Sequence, residues 1–346
     1  MVRFLLISIT CICATVVNAQ IILLPEGVTN NGAATAIIKG KTLVYSFYGL
    51  DSSKTWNGVH KKVFKTDIQK KKTIYLTDVP DSVGRIASSA SSIHNKIYIT
   101  GGYTVYPNGK EKSGGSLFIF DPQTEKFSIG AGLLLPIDDH IQCVWRDSLL
   151  YIITGWNDSA NTSAVQIYNP LTNEWHRGTP VPDEKEAKVF GGTGIIVNDT
   201  LYYLGGAVYE KFYAPANILY KGVIDKNNPT HINWQKAGTF PLPYRYRAAT
   251  FYTHNYIYFF GGSNETYNYN GISYNQKKPV NPNNTVLIYS IPEQKFFLKK
   301  IPEHLQRMDL RNIVPIGKNK WAIAGGMKKG QKVSNELNII RPSFFY

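Results

Sequence analysis

Four arginines, three aspartates and a histidine stand at one recurring place in this chain, and together they have the chemistry of a charged receptor with proton-moving groups. Arg85, Arg245, Arg247 and Arg311 carry fixed, fork-shaped charge suited to a carboxylate, sulfate or phosphate on a ligand. Asp138, Asp139, His140 and Asp309 are the types that take up and release protons beside such a ligand. The place is marked by an apolar run that ends in two glycines. Counting back from each glycine pair to the position of Arg247 gives Ala34, Ala87, His140, Gly191, Arg247 and Arg311; two residues earlier stand Gly32, Arg85, Asp138, Val189, Arg245 and Asp309. The same pattern has a structural reading, in which each arginine pairs with an acid or carbonyl of the neighbouring repeat and closes the fold.

The elements that must position these residues are the glycine-terminated runs themselves. Four are complete: Ile97 to Gly102, Leu201 to Gly206, Ile257 to Gly262 and Trp321 to Gly326; weaker copies run from Leu43 to Gly49 and from Leu149 to Gly155. Their last glycines fall at 49, 102, 155, 206, 262 and 326, spacings of 53, 53, 51, 56 and 64 residues. Short runs rich in Tyr, Ile and Phe, closed by glycine and lacking a 3.6-residue period, read as buried strands and exclude a helical solenoid. Phe118-Ile119-Phe120-Asp121-Pro122 leading to Phe127, and Gln166-Ile167-Tyr168-Asn169-Pro170 leading to Trp175, read as a strand, a tight Asp-Pro or Asn-Pro turn, and a further strand carrying an aromatic cover.

These stretches resemble kelch repeats, each of which is one four-stranded blade of a β-propeller. The expected fold is all-β: a six-bladed kelch propeller spanning residues 20–346. The sixth unit has room for only one more strand after Gly326, at Asn335 to Arg341, so Gln20 to Leu24 is expected to supply its missing strand and close the ring.

Residues 1–19 carry Arg3, an apolar stretch from Phe4 to Val17 and then Val17-Asn18-Ala19, the form of a secretory signal peptide. The stretch is shorter than the roughly 20 residues that span a bilayer, so a secreted or periplasmic protein without a membrane span is expected. Cys11 and Cys13 fall in that segment, which leaves Cys143 without a disulfide partner. The formal charge of +14 suits an acidic partner; export argues against nucleic acid, and lysine runs such as Lys70-Lys71-Lys72 read as solvated turns. No phosphate cradle, zinc-ligand spacing or nucleophile elbow is present.

Aromatic and amide residues gather in the loops on one face of the expected propeller. Trp56 and Trp156 follow the glycines of units one and three, Tyr209, Phe212 and Tyr213 those of unit four, and unit five has Glu265, Tyr267, Asn268 and Tyr269 in its longest loop. With the arginines they form an expected carbohydrate-binding mouth. The alternative is a non-catalytic propeller whose face binds a glycan or a protein partner.

The chain further resembles galactose-oxidase-like kelch proteins, particularly exported bacterial members, in Asp138-Asp139-His140-Ile141-Gln142-Cys143, Tyr244-Arg245-Tyr246-Arg247, Tyr267-Asn268-Tyr269-Asn270-Gly271 and Met308-Asp309-Leu310-Arg311. Galactose oxidase implies a copper site, but here only His140 and Cys143 share a strand while the other histidines are scattered, so no metal or cofactor is expected. The six-bladed N-acetylneuraminate mutarotase resembles it better in blade number, compartment and cationic mouth. That resemblance implies sugar mutarotase activity, with Asp138, Asp139, His140 and Asp309 as candidate catalytic residues.

Overall fold

Aromatic and β-branched residues pack well on a pleated surface, and the chain lays its runs down as six successive antiparallel sheets, the blades of a β-propeller. The computed structural model describes residues 21–345; the expected signal peptide and Gln20 lie outside the described residues. The innermost strands are Gly32–Ile38, Ile86–Ile93, Ile141–Trp145, Val189–Val197, Ala249–Thr253 and Val314–Gly317 in blades 1 to 6. Blade 2 has an additional short strand, Glu111–Ser113, paired so that Glu111 opposes Val105. In blade 3 the Asn-Pro turn joins strands Val165–Asn169 and Glu174–Gly178, and the Tyr168 and Trp175 rings lie opposite each other with centroids 5.0 Å apart.

The ring closes as the strand count requires. Ile21–Leu23 pairs antiparallel with Glu336–Ile340, Ile22 opposite Leu337, so chain ends share blade 6. Alternation buries Ile22 and Leu24 beside Val314, Ala322, Leu337 and Ile339, while Leu23 points to solvent.

The glycine runs serve as latches between blades. The Gly102, Gly206, Gly262 and Gly326 N–H groups donate to the carbonyls of Ile137, Arg245, Arg307 and Val28 on the next blade at 2.9–3.0 Å. Gly205 shows why a side chain is excluded beside the latch: it has φ +70°, and a Cβ there would lie 2.1 Å from the Arg245 carbonyl oxygen. Blade 3 has Thr154 where a pair would begin, and its hydroxyl bonds both the N–H and the carbonyl of Val189 instead.

Inside this belt a second ring of backbone bonds lines the channel. Asn30, Ala87, Asp139, Gly191 and Arg247 each donate N–H to the corresponding residue of the preceding blade (Asp309, Asn30, Ala87, Asp139 and Gly191), and the Leu310 N–H donates to the Arg247 carbonyl. The six residues Asn30, Ala87, Asp139, Gly191, Arg247 and Asp309 all have positive φ. They are the structurally equivalent positions, which corrects the count made from the glycine pairs. Ala87, Gly191 and Arg247 are equidistant from their glycines, but the hairpins of blades 1, 3 and 6 carry extra residues, so Ala34, His140 and Arg311 are not equivalent to Arg247.

Ile22→Ala should lower stability by about 2–4 kcal/mol in urea unfolding, because it leaves a cavity in the closing strand, whereas exposed Leu23→Ala should change it by less than about 0.5 kcal/mol.

Candidate functional site

Three of the six channel-ring residues carry charge, and the fold forces them together. Arg247 donates to Asp139 through Nε at 3.1 Å and Nη2 at 2.6 Å, and to Asp309 through Nη1 at 3.0 Å. Arg311 adds a bond from Nη1 to Asp139 and one from Nη2 to the His140 carbonyl. Thr29 donates to Asp309 at 2.8 Å, and the Arg247 guanidinium lies over the Tyr246 and Tyr267 rings at 5.1 and 5.4 Å. All four charged side chains are at most 2% exposed. This cluster plugs the channel.

On the loop side of the plug lies a pocket lined by Glu111, Asp138, Asp139 and Arg247 below Tyr103, Trp156, Phe190, Tyr213 and Tyr274. Its enclosed volume is about 50 Å³, room for a hydroxyl group or a water or two rather than a whole sugar ring. The aromatic wall is a packed cluster: Trp156 meets Phe190, Tyr209 and Tyr213 at 5.4–5.8 Å, and Tyr213 meets Tyr274 at 4.7 Å.

The carboxyls in this pocket hold different charge states. Burial would raise Asp139, but Arg247 and Arg311 outweigh it and hold Asp139 below the usual carboxylate range. Its neighbour Asp138 is driven well above that range by burial and then by the Asp139 charge; it accepts from the Ser113 hydroxyl at 2.5 Å. Glu111 is solvent-exposed as a residue, yet the atoms crowded around its carboxyl push it up to about 7. Two acids poised apart in one pocket form the usual arrangement for a general acid and a general base.

Other expected site residues are placed elsewhere. Arg85 and Arg245 do not reach the mouth. The Nε of Arg85 pairs with Asp81 at 2.6 Å, and Tyr48 bonds the same carboxylate; Arg245 is fully buried against Thr285 and the Tyr244 carbonyl, where burial pulls it down to about 9. With Arg307, bonded to Glu336 and Asn338, they are clamps at the blade entrances; Arg85 reaches Asp81 on the connection from blade 1, whereas Arg245 and Arg307 pair within their own blades rather than with a neighbouring repeat. Asp309 is inside the plug, with burial raising its carboxyl despite Arg247. His140 lies across from Thr100 at 3.0 Å, and burial and then Arg311 push its imidazole down to about 3, so it is neutral and faces away from the loop-side pocket.

The long blade 5 loop closes over the plug more than it lines the pocket. Tyr267 is fully buried on Tyr246, Asn268 caps a turn by accepting from the Tyr269 N–H at 2.7 Å, and Tyr269 packs near Tyr103. Glu265 is half-buried outside the pocket, its carbonyl bonded by Ser263, and Trp56 stands 46% exposed on the outer loop of blade 1. Glu111 and Tyr103 were not singled out by the sequence pattern. The Asn108-Gly109 pair was the available signal, since such a turn sets a hairpin and so faces Glu111 toward Val105. Among the described residues, no three His, Cys, Asp or Glu side chains converge as a metal-ligand set.

The sequence profile of the Kelch motif matches residues 84–134 and 146–182, which are blade 2 and most of blade 3. The chain is a β-propeller that carries Kelch motifs in its second and third blades. Kelch-like protein 25 of Xenopus tropicalis is 25% identical to this kelch propeller over 213 residues, 59% of this chain and 33% of that protein. Kelch-like protein 41 of Rattus norvegicus is 26% identical over 143 residues, 40% of this chain and 22% of that one. The kelch propeller thus matches a third or less of the length of these relatives. The solved structure of YjhT superposes with a TM-score of 0.70, covering 92% of this chain and 99% of that one at 14% identity, a likeness of fold.

Asp139→Asn should cost about 3–5 kcal/mol by leaving Arg247 and Arg311 short of buried counter-charge. Because Asp139 is lowered, its contribution is present above the unfolded carboxylate pKa and lost as pH falls through the folded value, so urea midpoints measured from pH 7 downward should fall less steeply in the variant.

Proposed function

We propose that the loop-side mouth binds a carbohydrate and exchanges its anomers, in a protein that is secreted or periplasmic. The observation that carries this reading is the pairing of Glu111, poised at about 7, with Asp138, whose proton affinity burial and Asp139 raise, in one small pocket under an aromatic wall. The resemblance to sugar mutarotases points the same way. An anomeric hydroxyl fits the enclosed volume, while the sugar ring rests on Trp156 and Tyr213, whose flat faces suit its apolar side.

In the proposed reaction the Glu111 carboxylate takes the proton of the anomeric hydroxyl as Asp138 gives its proton to the ring oxygen, breaking the bond between the anomeric carbon and that oxygen. The open-chain carbonyl turns and the ring recloses on its other face. The ring oxygen returns its proton to Asp138 and Glu111 returns the other to the new anomeric hydroxyl, so both acids are regenerated. Arg247 and Arg311 hold Asp139 ionised, and that charge keeps Asp138 protonated.

The charge balance favours a neutral pyranose over an anionic sugar here. Arg247 is paired with Asp139 and Asp309, and Arg311 does not line this pocket, which leaves it acidic. A protein-docking face is the second reading, favoured by Trp56, Tyr106, Tyr209 and Phe212, which stand 42–57% exposed on the same side and are types enriched at interfaces.

Proton NMR of anomeric exchange in neutral sugars and N-acetylneuraminate checks the enzyme reading. Exchange should be accelerated, rise as pH passes through about 7 when Glu111 ionises, and fall about 10²–10⁴-fold in Glu111→Gln; no acceleration with any sugar supports docking instead.

A further inference from the structure

The plug divides the channel into two compartments of opposite character. The loop-side pocket is walled by acids. Beyond the plug, toward the turns that join first and second strands, a cavity of about 310 Å³ runs between the innermost strands, and Arg311 is its one charged lining residue among the described residues. No aspartate or glutamate lines it. Arg311 therefore bridges the compartments: it holds Asp139, which lines the loop-side pocket, while itself lining the far one.

Arg311 is not fully satisfied there. Its two terminal nitrogens are bonded, but Nε is buried without a partner, a state that costs about 1–3 kcal/mol until an acceptor arrives. His140 beside it is neutral and offers no competing charge. Ser89, Ser91, Thr193 and Asn312 add hydroxyl and amide groups to walls otherwise built largely of small and aliphatic residues. The volume is at the lower end for small-molecule pockets, and the net charge of +14 raises the local concentration of anions.

We propose that the far half of the channel is a second binding site, which takes a small hydroxylated carboxylate, a hydroxy acid or sugar acid, with its carboxylate on Arg311 and its hydroxyls on the Ser, Thr and Asn side chains. This site is independent of the sugar chemistry proposed for the loop side. The cationic receptor read from the sequence is thereby placed at the opposite end of the channel from the aromatic loops.

Isothermal titration calorimetry with lactate and glucuronate, and with acetate and glucose as controls, tests the proposal. Saturable binding of at least one hydroxylated acid is expected, tighter than acetate, while any glucose binding should be unaffected by Ser91→Leu because glucose would sit on the loop side. Arg311→Lys, which keeps charge but loses the unpartnered Nε donor, and Ser91→Leu, which fills the cavity and leaves the plug intact, should each weaken acid binding at least about tenfold. Glu111→Gln should leave it unchanged, which separates this site from the loop-side one. Absence of saturable acid binding, acetate binding as tightly as the hydroxylated acids, or acid binding that Ser91→Leu leaves unchanged would overturn it; the last comparison decides even if Arg311→Lys does not fold.

Discussion

The closed ring of backbone hydrogen bonds around the channel is the constraint on which the rest depends. Each bond needs a residue with positive φ at the entrance to a blade, and six blades supply Asn30, Ala87, Asp139, Gly191, Arg247 and Asp309. A non-glycine residue there is strained by about 1–2 kcal/mol, a cost the backbone bonds of the ring must offset even at Ala87, which has no polar side chain to help. Arg247 contributes through its paired acids. Placing one arginine between two aspartates in that ring turns a structural closure into an electrostatic plug, whose charges add to burial in shifting Asp138, Glu111 and His140.

That electrostatic chain explains how a buried site keeps acids of different character within a few residues. Asp139 faces two guanidiniums and is held below the usual carboxylate range; Asp138 next to it meets burial and the charge of Asp139, and is raised well above it. Glu111 enters from another element, the short hairpin strand of blade 2, and feels burial more than either partner. A buried ion pair is weak evidence of net stability; its clearer consequence here is the ordering of proton affinities in the pocket. The aromatic wall supplies the desolvation that makes those differences large.

Fold and site were legible in the sequence to different degrees. The glycine-terminated runs repeat because a Cβ at the latch would meet the next blade's backbone, so blade number and ring closure could be counted from residues alone. The strand that closes blade 6 was placed within a residue for the same reason, since Ile22 and Leu24 must face the core. Site residues followed less well because a fixed count from the glycines assumes hairpins of one length. That assumption held for Arg247 and failed for His140 and Arg311, which sit one and two residues past the true ring positions Asp139 and Asp309. Arg85 and Arg245 were misplaced for a different reason: guanidinium chemistry is the same for a ligand receptor and a structural clamp, and only the partners Asp81 and Thr285 distinguish them. Glu111 was hidden among the charged residues of a loop, and only its pairing with Val105 brings it to the channel.

The central claim is that burial beside the plug, with Arg247 and Asp139 acting in opposite directions, gives Glu111 a proton affinity matched to neutral pH. The most direct measurement is the titration of its side-chain carboxyl by carbon-13 NMR, assigned by comparison with Glu111→Gln. The account predicts a midpoint near about 7, moving when Asp139→Asn removes the neighbouring charge; a midpoint at the ordinary value of 4.5, insensitive to Asp139, would contradict it.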